Sequence, residues 1–373
     1  MAKTSLITVF GATGYTGQRI AHVLDREGLD YRLAGRSPEK LAQLASRLSA
    51  RPGWLVADAM QPGSLTPLFQ GNRVLINCAG PFTDLGERVI AQAAMSGASY
   101  LDTTNELGFV YRARSYSQMA ERTHSTLVPA CAFEVAFADC AAHLVSQELL
   151  ASNPNDPLDG IDVVYALNGK TASVGTRRSA VRSLATSWIA YRNGTWTGQI
   201  PGGKMRRFLL PGGSRDTYLI PSSESVTLPL HVPVRHIDVW MAAAPGARFW
   251  IPAIIPLLAR LSRSILRPII LNLAASGGVS AGETPGVDRG STSPFTILVT
   301  ARQGHKSRWM TLSGNDPYSL TAEIAVFAAR QLADESRTSG LLAPAQVLEP
   351  RAFLDHARQK WGLDIHEGEG QEV

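Results

Sequence analysis

The chain has 373 residues, of which 45% are apolar and 18% are charged, and its formal net charge is +5. This length and apolar content predict a globular protein with a large buried core, arranged as two lobes. The basic residues are dispersed rather than gathered in a run, so the charge pattern predicts no nucleic-acid partner.

The first predicted strand, Leu6–Phe10, leads into a glycine-rich turn and then into a helical stretch from Gln18 to Glu27. A turn of this kind brings backbone N–H groups close to a pyrophosphate, at the helix end where the dipole favours negative charge. We therefore expect a nucleotide to bind along Gly11, Ala12, Thr13, Gly14, Tyr15, Thr16 and Gly17. The spacing G-x-x-G-x-x-G also occurs in ordinary turns, so a turn without a ligand is the alternative.

The second predicted strand, Tyr31–Ala34, ends in Gly35-Arg36-Ser37 rather than in an aspartate or glutamate. A carboxylate at this place would hold a ribose 2′-hydroxyl, whereas an arginine beside a hydroxyl suits a 2′-phosphate. We therefore predict NADP(H) as the cofactor, with Arg36 as the bidentate contact and Ser37 as support. The alternative is a solvated Arg36 and a Ser37 that only caps the helix begun by Pro38, and both roles of Ser37 are compatible.

Strand-like and helical stretches alternate through the first 150 residues. This pattern predicts an α/β fold with a Rossmann-type, doubly wound parallel sheet, whose ligands bind at the carboxyl ends of the strands. The other predicted strands of this region are Trp54–Ala57, Arg73–Cys78, Ser99–Asp102 and Thr126–Val128, and the helices include Pro38–Leu48 and Gly86–Ser96.

Three of these strand ends carry candidate site residues. Asp58, with Ala59 beside it, is placed to accept a hydrogen bond from the adenine amino group, or else it is a loop or cap aspartate. The second segment consists of Cys78, Ala79, Gly80, Pro81 and Phe82. Its small residues would let the nicotinamide approach the backbone closely. The alternative is a simple turn at the end of the strand. The third strand end carries Asp102 and Glu106, for which helix capping in this polar loop is the competing interpretation.

After a predicted helix from Glu134 to about Leu150, the segment Asn153–Pro157 suggests a domain boundary. Strand-like segments with few helices follow, which predicts a second α+β domain built on a largely antiparallel sheet. The expected domains are therefore residues 1–150 for NADP binding, 151–316 for substrate binding or dimerisation, and a C-terminal helical segment, 317–373, returning towards the first domain. The expected strands are Ile161–Leu167, Arg206–Leu210, His236–Met241, Phe295–Ala301 and Lys306–Leu312, with a helix over Tyr318–Ala333.

Residues 249–271 combine an apolar stretch with Arg260, Arg263 and Arg267 on one helical face. The longest charge-free apolar run around Phe249 is about 11 residues, well below the roughly 20 that span a bilayer. One interpretation is a basic amphipathic helix in peripheral contact with a membrane or a lipid-like substrate. The other is a surface helix packed on the second lobe or at a homodimer interface.

The sequence excludes several mechanisms. No tyrosine has a lysine four residues on, so the acid–base pair of short-chain ketone reductases is missing, and no zinc-binding helix occurs. The three cysteines have no metal-like or paired spacing, and an odd number of them fits a reducing cytosol, so we expect a cytoplasmic protein without a metal site. His231 and His236 are interpreted as structural. The candidate proton donors are Asp102, Glu106 and Glu134, if burial keeps one of them protonated.

Five segments together resemble the saccharopine dehydrogenase-like reductase family, in the branch with the trans-acting enoyl reductases and the saccharopine dehydrogenase-like oxidoreductases. They are Phe10–Gly17, Leu33–Ser37, Asn77–Phe82, Tyr100–Glu106 and Ala130–Glu134. The resemblance implies a Rossmann lobe with a substrate lobe, NADP(H), and reduction of a C=C or C=N bond. It also implies pyrophosphate binding along the first loop, 2′-phosphate binding at Arg36 and nicotinamide contact over residues 79–82. Where relatives usually have Cys-Gly-Phe-Asp, this chain has Cys131-Ala132-Phe133-Glu134, a change in the loop expected beside the substrate.

The sequence thus predicts an NADPH-dependent oxidoreductase acting on an unsaturated small-molecule, acyl, lipid-like or polyketide-like substrate. A saccharopine-type imine or amino-acid dehydrogenase is the second enzymatic hypothesis. A protein that binds NADPH without turnover, as a sensor or scaffold, is the hypothesis from another class.

Overall fold

The computed structural model describes residues 7–167, 188–199, 203–243, 246–249, 251–261, 293–334 and 338–370. In chain order the strands are β1 Ile7–Phe10, β2 Tyr31–Gly35, β3 Trp54–Val56, β4 Val74–Asn77, β5 Ser99–Asp102, β6 Thr126–Val128, β7 Gly160–Leu167, β8 Trp188–Arg192, β9 Thr195–Gln199, β10 Met205–Leu210, β11 Gly213–Leu219, β12 His236–Ala242, β13 Phe295–Gln303, β14 Lys306–Gly314, β15 Gly340–Leu341 and β16 Asp364–Glu369. The helices are α1 Tyr15–Arg26, α2 Pro38–Arg47, α3 Phe82–Ala94, α4 Leu107–Ala113, α5 Ser117–Thr123, α6 Phe133–Ser152, α7 Glu224–Thr227, α8 Ile251–Leu261, α9 Pro317–Asp334 and α10 Pro350–Trp361.

The chain forms two compact units, each assembled from two stretches of sequence. Unit 1 comprises Met1–Ala136 and Tyr318–Glu349, and unit 2 comprises Phe137–Pro317 and Pro350–Val373. The C-terminal stretch that follows β14 is therefore divided between the two units at Pro350.

Unit 1 is built on a parallel sheet with the strand order β15-β6-β5-β4-β1-β2-β3. The central strands β1 and β4 are buried along their whole length, because helices cover both faces of such a sheet. The strand order reverses between β1 and β4, which is where ligands of doubly wound sheets bind. The predicted Rossmann-type fold is thus confirmed.

Helix α9 adds to unit 1 a helix that runs parallel to α1. Near the start of both helices, Tyr15 and Tyr318 meet edge to face with 5.1 Å between ring centroids. Further along, Arg26 pairs with Glu323 at 2.8 Å, and Glu27 pairs with Arg330 at 3.1 Å. The N-terminus of α9 therefore lies beside that of α1.

Unit 2 is built on a mixed sheet ordered β10-β11-β12-β7-β13-β14-β16, with β8 and β9 attached at β12. Strands β12 and β7 are parallel, and the other strand pairs described in this sheet are antiparallel. Val164, Leu298 and Trp240 lie on one face of it in a buried apolar cluster. The largely antiparallel second domain is confirmed, although the sequence did not predict β8, β9, β11 and β16.

Candidate functional site

The glycine-rich loop is folded by its own backbone hydrogen bonds. The N–H groups of Gly11 and Ala12 both donate to the carbonyl oxygen of Ala34 at the end of β2, at 2.9 and 3.1 Å. The Gly14 N–H donates to the Gly11 oxygen at 3.0 Å, and the Gln18 side chain donates to the Thr13 oxygen at 2.9 Å. The loop therefore holds its shape before any ligand arrives.

Two of the three glycines are required by close backbone contacts. Gly11 has a positive φ of 79°, and a Cβ there would lie 2.7 Å from the backbone nitrogen of Ala79. A Cβ on Gly17 would lie 2.3 Å from the Gly11 oxygen. Because the obstructing atoms are backbone atoms, these positions accept no side chain. The loops after β1 and β4 consequently touch at the point where the sheet order reverses.

The N-termini of α1 and α3 both begin at this edge of the sheet, but their electrostatic environments differ. The Glu106 carboxylate accepts from the Phe82 N–H at 3.2 Å and from the Thr83 N–H at 2.7 Å, and it also bonds the Thr83 hydroxyl. It therefore caps α3 and balances the positive end of that dipole. The N-cap residue of helix α1 is Gly14, and no side chain caps this helix. The N–H groups of its first turn are therefore available to an anion such as a pyrophosphate.

Arg36 follows β2 and is exposed. Ser37 is the N-cap of α2: its hydroxyl accepts from the Lys40 N–H at 3.3 Å and donates to Glu39 at 2.8 Å. The capping role considered for Ser37 is thus present. The Arg36 guanidinium has no hydrogen-bond or ion-pair acceptor among the described residues.

Asp58 closes a local turn in the loop after β3, where Oδ1 accepts from the Met60 N–H at 2.9 Å and the Asp58 backbone bonds the Ser64 hydroxyl. Asp58 is part-buried and Ala59 is buried. The turn holds Asp58 at the carboxyl edge of the sheet, as the sequence interpretation requires, and its contact with adenine stays a prediction.

The loop after β4 presents small, part-exposed residues. Ala79 and Pro81 are part-buried, Gly80 is exposed, and the Gly80–Pro81 peptide bond is cis. The Cys78 N–H donates to the Phe10 oxygen at 2.7 Å, which ties this loop to β1. Burial raises the pKa of the Cys78 thiol to about 12, which favours the thiol over the nucleophilic thiolate.

Asp102 lies at the centre of a buried hydrogen-bond network that joins three loops. Its Oδ2 accepts from the Tyr100 hydroxyl at 2.7 Å, and its Oδ1 accepts from the N–H groups of Thr104 and Ala130 at 3.0 and 2.9 Å. Tyr100 in turn accepts from Asn77, whose oxygen takes the Ala79 N–H. The network therefore positions the loops after β4, β5 and β6 together.

This environment raises the pKa of Asp102 to about 6, because burial outweighs the hydrogen bonds that favour the ionised form. The side chain is 0% exposed and both carboxyl oxygens have partners within unit 1. The geometry favours a positioning role for Asp102 over direct proton donation. Glu106 is likewise 5% exposed and engaged at α3, whereas Glu134, in the first turn of α6, is part-exposed.

Sequence reasoning did not anticipate an aromatic group beside the glycine loop. The guanidinium carbon of Arg19 lies 4.2 Å above the Tyr15 ring, and the Tyr15 ring packs against Tyr318. Tyr318 is three hundred positions away in sequence, so no local pattern could have placed it there.

The family comparison agrees with this geometry. Residues 7–131 match the model of the saccharopine dehydrogenase NADP-binding domain. Over these residues the chain is similar to that NADP-binding domain. The resemblance proposed from the sequence is therefore confirmed, and a nicotinamide dinucleotide is the cofactor class of this domain.

Similar proteins extend the comparison. A trans-acting enoyl reductase of Mycobacterium ulcerans is 29% identical over 195 residues, covering 50% of this chain and 47% of the relative. A probable mitochondrial saccharopine dehydrogenase-like oxidoreductase of Arabidopsis thaliana is 28% identical over 201 residues, covering 48% of this chain and 43% of the relative. The alignments thus span less than half the length of these relatives.

Among solved structures, apo saccharopine dehydrogenase (L-Glu forming) of Saccharomyces cerevisiae matches with a TM-score of 0.64 at 11% identity. The match covers 98% of this chain and 100% of that one. It shows that the two proteins share a fold.

Proposed function

We propose that this protein is an NADPH-dependent oxidoreductase that reduces a C=C (enoyl) or C=N bond of a small, lipid-like or polyketide-like substrate. The observation that carries the proposal is the uncapped start of α1 behind a loop in which Gly11 and Gly17 admit no Cβ. A bound nicotinamide would supply the hydride, and the protein orients it. The residues that would hold the cofactor are Gly11–Gly17, Arg36 and the loop over residues 78–82.

The choice of NADP(H) over NAD(H) rests on Arg36. The Ser37 hydroxyl is engaged at the start of α2, so the exposed guanidinium supplies the charge that a 2′-phosphate requires. Arg36→Asp should weaken NADPH binding at least tenfold while NADH binding changes less than threefold, as measured by calorimetry. Arg47→Asp, which makes the same charge change at the far end of α2, is the matched control. An unchanged NADPH/NADH ratio in Arg36→Asp would refute the assignment.

The reaction class is tested with acceptors. NADPH consumption is followed against enoyl thioesters, cyclic and linear imines, and ketones. The names of the enoyl reductase and saccharopine dehydrogenase relatives support the first two classes. NADPH binding without turnover on any class would refute the reductase proposal and favour a sensor or scaffold.

Glu134 is the proposed proton donor among the three candidate carboxyl groups, because Asp102 and Glu106 are enclosed and Glu134 is part-exposed at the start of α6. Glu134→Gln should lower kcat at least tenfold with little change in NADPH affinity. Equal kcat in the variant and the wild-type protein would exclude Glu134.

We also propose peripheral lipid contact through α8, within a cytoplasmic protein. Phe249 is 77% exposed and Leu257 54% exposed, and Arg248 lies 4.8 Å from the Phe249 ring, a pairing of apolar and basic groups that suits an anionic lipid surface. Arg263 and Arg267 of the sequence interpretation lie outside the described residues, and none of the described helices is long and apolar enough to cross a bilayer. Phe249→Ser/Leu257→Ser should abolish co-sedimentation with phosphatidylserine vesicles at low salt. Absence of wild-type pelleting would refute the contact, and a dimer lost in this variant would assign the surface to a homodimer.

A further inference from the structure

Unit 2 contains a buried polar cluster that the proposed cofactor site does not use. Helix α6 contributes Asp139 and His143, which are four residues apart and therefore lie on one helix face. His231, which follows α7 in the chain, reaches the same place, and its side chain is 4% exposed while that of Asp139 is 0% exposed. A carboxylate and two imidazoles are therefore in contact within unit 2.

The three side chains form a chain of close contacts that starts at the surface. The amide nitrogen of the exposed Gln147 lies 2.8 Å from His143 Nε2, and His143 Nδ1 lies 3.1 Å from His231 Nδ1. His231 Nε2 lies 3.2 Å from Asp139 Oδ2, but this contact lacks hydrogen-bond geometry, so the buried Nε2 has no hydrogen-bond partner within the described residues. The Thr227 hydroxyl donates to the other Asp139 oxygen, at 2.9 Å.

The donors fix the direction of this chain. An amide nitrogen only donates, so His143 Nε2 accepts and the His143 proton sits on Nδ1. That proton is donated to His231 Nδ1, which leaves the His231 proton on Nε2, the atom that lies 3.2 Å from Asp139 Oδ2. With both imidazoles neutral, the hydrogen bonds from Gln147 to His143 and from His143 to His231 are both donated inwards, towards the carboxylate.

A second carboxyl group lies at the inner end. Glu224 is 0% exposed, and its Oε1 accepts from the Tyr165 hydroxyl. Its Oε2 has no hydrogen-bond partner within the described residues. Burial raises the pKa of Glu224, and the negative charge of Asp139 adds to the effect. The protonated form of Glu224 is therefore favoured more than that of an exposed glutamate.

We infer that His143 and His231 form a proton relay between solvent and the buried carboxyl pair Asp139 and Glu224. A proton from solvent adds to His143 Nε2 as the bond from Gln147 breaks. The Nδ1 proton of His143 passes to His231 Nδ1, and the Nε2 proton of His231 passes to Asp139 Oδ2 once the His231 ring turns to align its N–H with that oxygen. One proton enters, one O–H bond forms on the carboxyl group, and no electrons are exchanged.

The relay is tested by nitrogen NMR on protein labelled at histidine. In the wild-type protein, His231 should be protonated at Nε2 and unprotonated at Nδ1. Exchange of its ring proton with solvent should slow at least tenfold in His143→Gln, because an amide can donate to His231 but cannot pass a proton on. His143→Phe, which keeps a ring without nitrogens, should do the same, and His236→Gln is the control in the same unit.

Either of two results would overturn the inference. One is a His231 proton on Nδ1 in the wild-type protein, which needs no variant and holds even if a variant fails to fold. The other is an unchanged His231 exchange rate in folded His143→Gln, which would assign exchange to local opening and the cluster to structure alone.

The inference that the relay supplies protons for turnover rests on the function proposed above. His143→Gln should then lower kcat increasingly as the pH rises, with an unchanged KM for NADPH. A wild-type pH profile in this variant refutes the part in turnover. A wild-type protein without turnover refutes the proposed function, and ring-proton exchange still decides the relay.

Discussion

Replacing Asp102 with asparagine tests whether the buried network at the carboxyl edge of unit 1 behaves as its geometry requires. The carboxyl group accepts from Tyr100, Thr104 and Ala130 and is 0% exposed. Asparagine has nearly the same shape and keeps one oxygen for the two N–H donors. Its amide nitrogen cannot accept from the Tyr100 hydroxyl, so one hydrogen bond is lost.

The magnitude follows from the pKa shift. Burial raises the pKa of Asp102 from 3.8 to about 6 in the folded protein. Folded protein therefore holds this proton more tightly than unfolded protein, and stability falls as the pH rises through the folded pKa. A pKa shift of this size corresponds to about 3 kcal/mol of unfolding free energy. About 1.4 kcal/mol of this free energy is lost between pH 5 and pH 8. The lost Tyr100 bond costs Asp102→Asn about 1 kcal/mol at either pH.

The assay is urea unfolding, followed by circular dichroism at pH 5 and pH 8. The difference in unfolding free energy between Asp102→Asn and the wild-type protein should move in favour of the variant by about 1.4 kcal/mol from pH 5 to pH 8. Asp30→Asn is the matched control, because Asp30 is a part-buried aspartate just before β2 whose described contact with the same sheet is through its backbone oxygen. A difference between Asp102→Asn and wild type that is equal at both pH values would show that Asp102 does not titrate as described.

Three further outcomes are expected. Gly17→Ala should weaken NADPH binding at least tenfold in calorimetry, since its Cβ would lie 2.3 Å from the Gly11 oxygen, whereas Gly53→Ala, with no atom within 4 Å, should bind normally. Glu106→Ala removes the cap of α3 and should cost about 1–2 kcal/mol in urea unfolding; a loss below a few tenths would contradict the capping role. Ala130→Gly should raise the unfolding free energy by up to about 1 kcal/mol, because residue 130 has a φ of 60°, and a destabilised variant would show that this backbone is not strained.

The fold of unit 1 was predictable because its signals are local. Each buried parallel strand is a short apolar run, and each is followed by a turn or a helix start within a few residues. The elements missed in unit 2 lack that signal. Strand β9, Thr195–Gln199, and strand β16, Asp364–Glu369, are mostly exposed edge segments without apolar alternation, so their strand character comes from pairing with a neighbour.

The candidate site was predictable to the extent that it is made of backbone. The glycines mark where side chains are excluded, and their spacing is visible in the sequence. The partners of polar side chains are not visible there. Glu106 lies after β5 yet caps α3, which begins 24 residues earlier, whereas the sequence interpretation placed capping within the polar loop itself.

Burial is what separates the roles of residues that look alike in sequence. Asp102, Glu106 and Glu134 were equal candidates as acids, but two are enclosed by donors of their own unit and one is part-exposed. His231 and His236 were both interpreted as structural, but only His231 contacts a buried carboxylate. An ionisable group must gain hydrogen bonds or a partner charge when it leaves water. Each buried carboxyl group therefore identifies the segments it joins: Asp102 joins three loops at the sheet edge, and Asp139 joins α6 to the segment after α7.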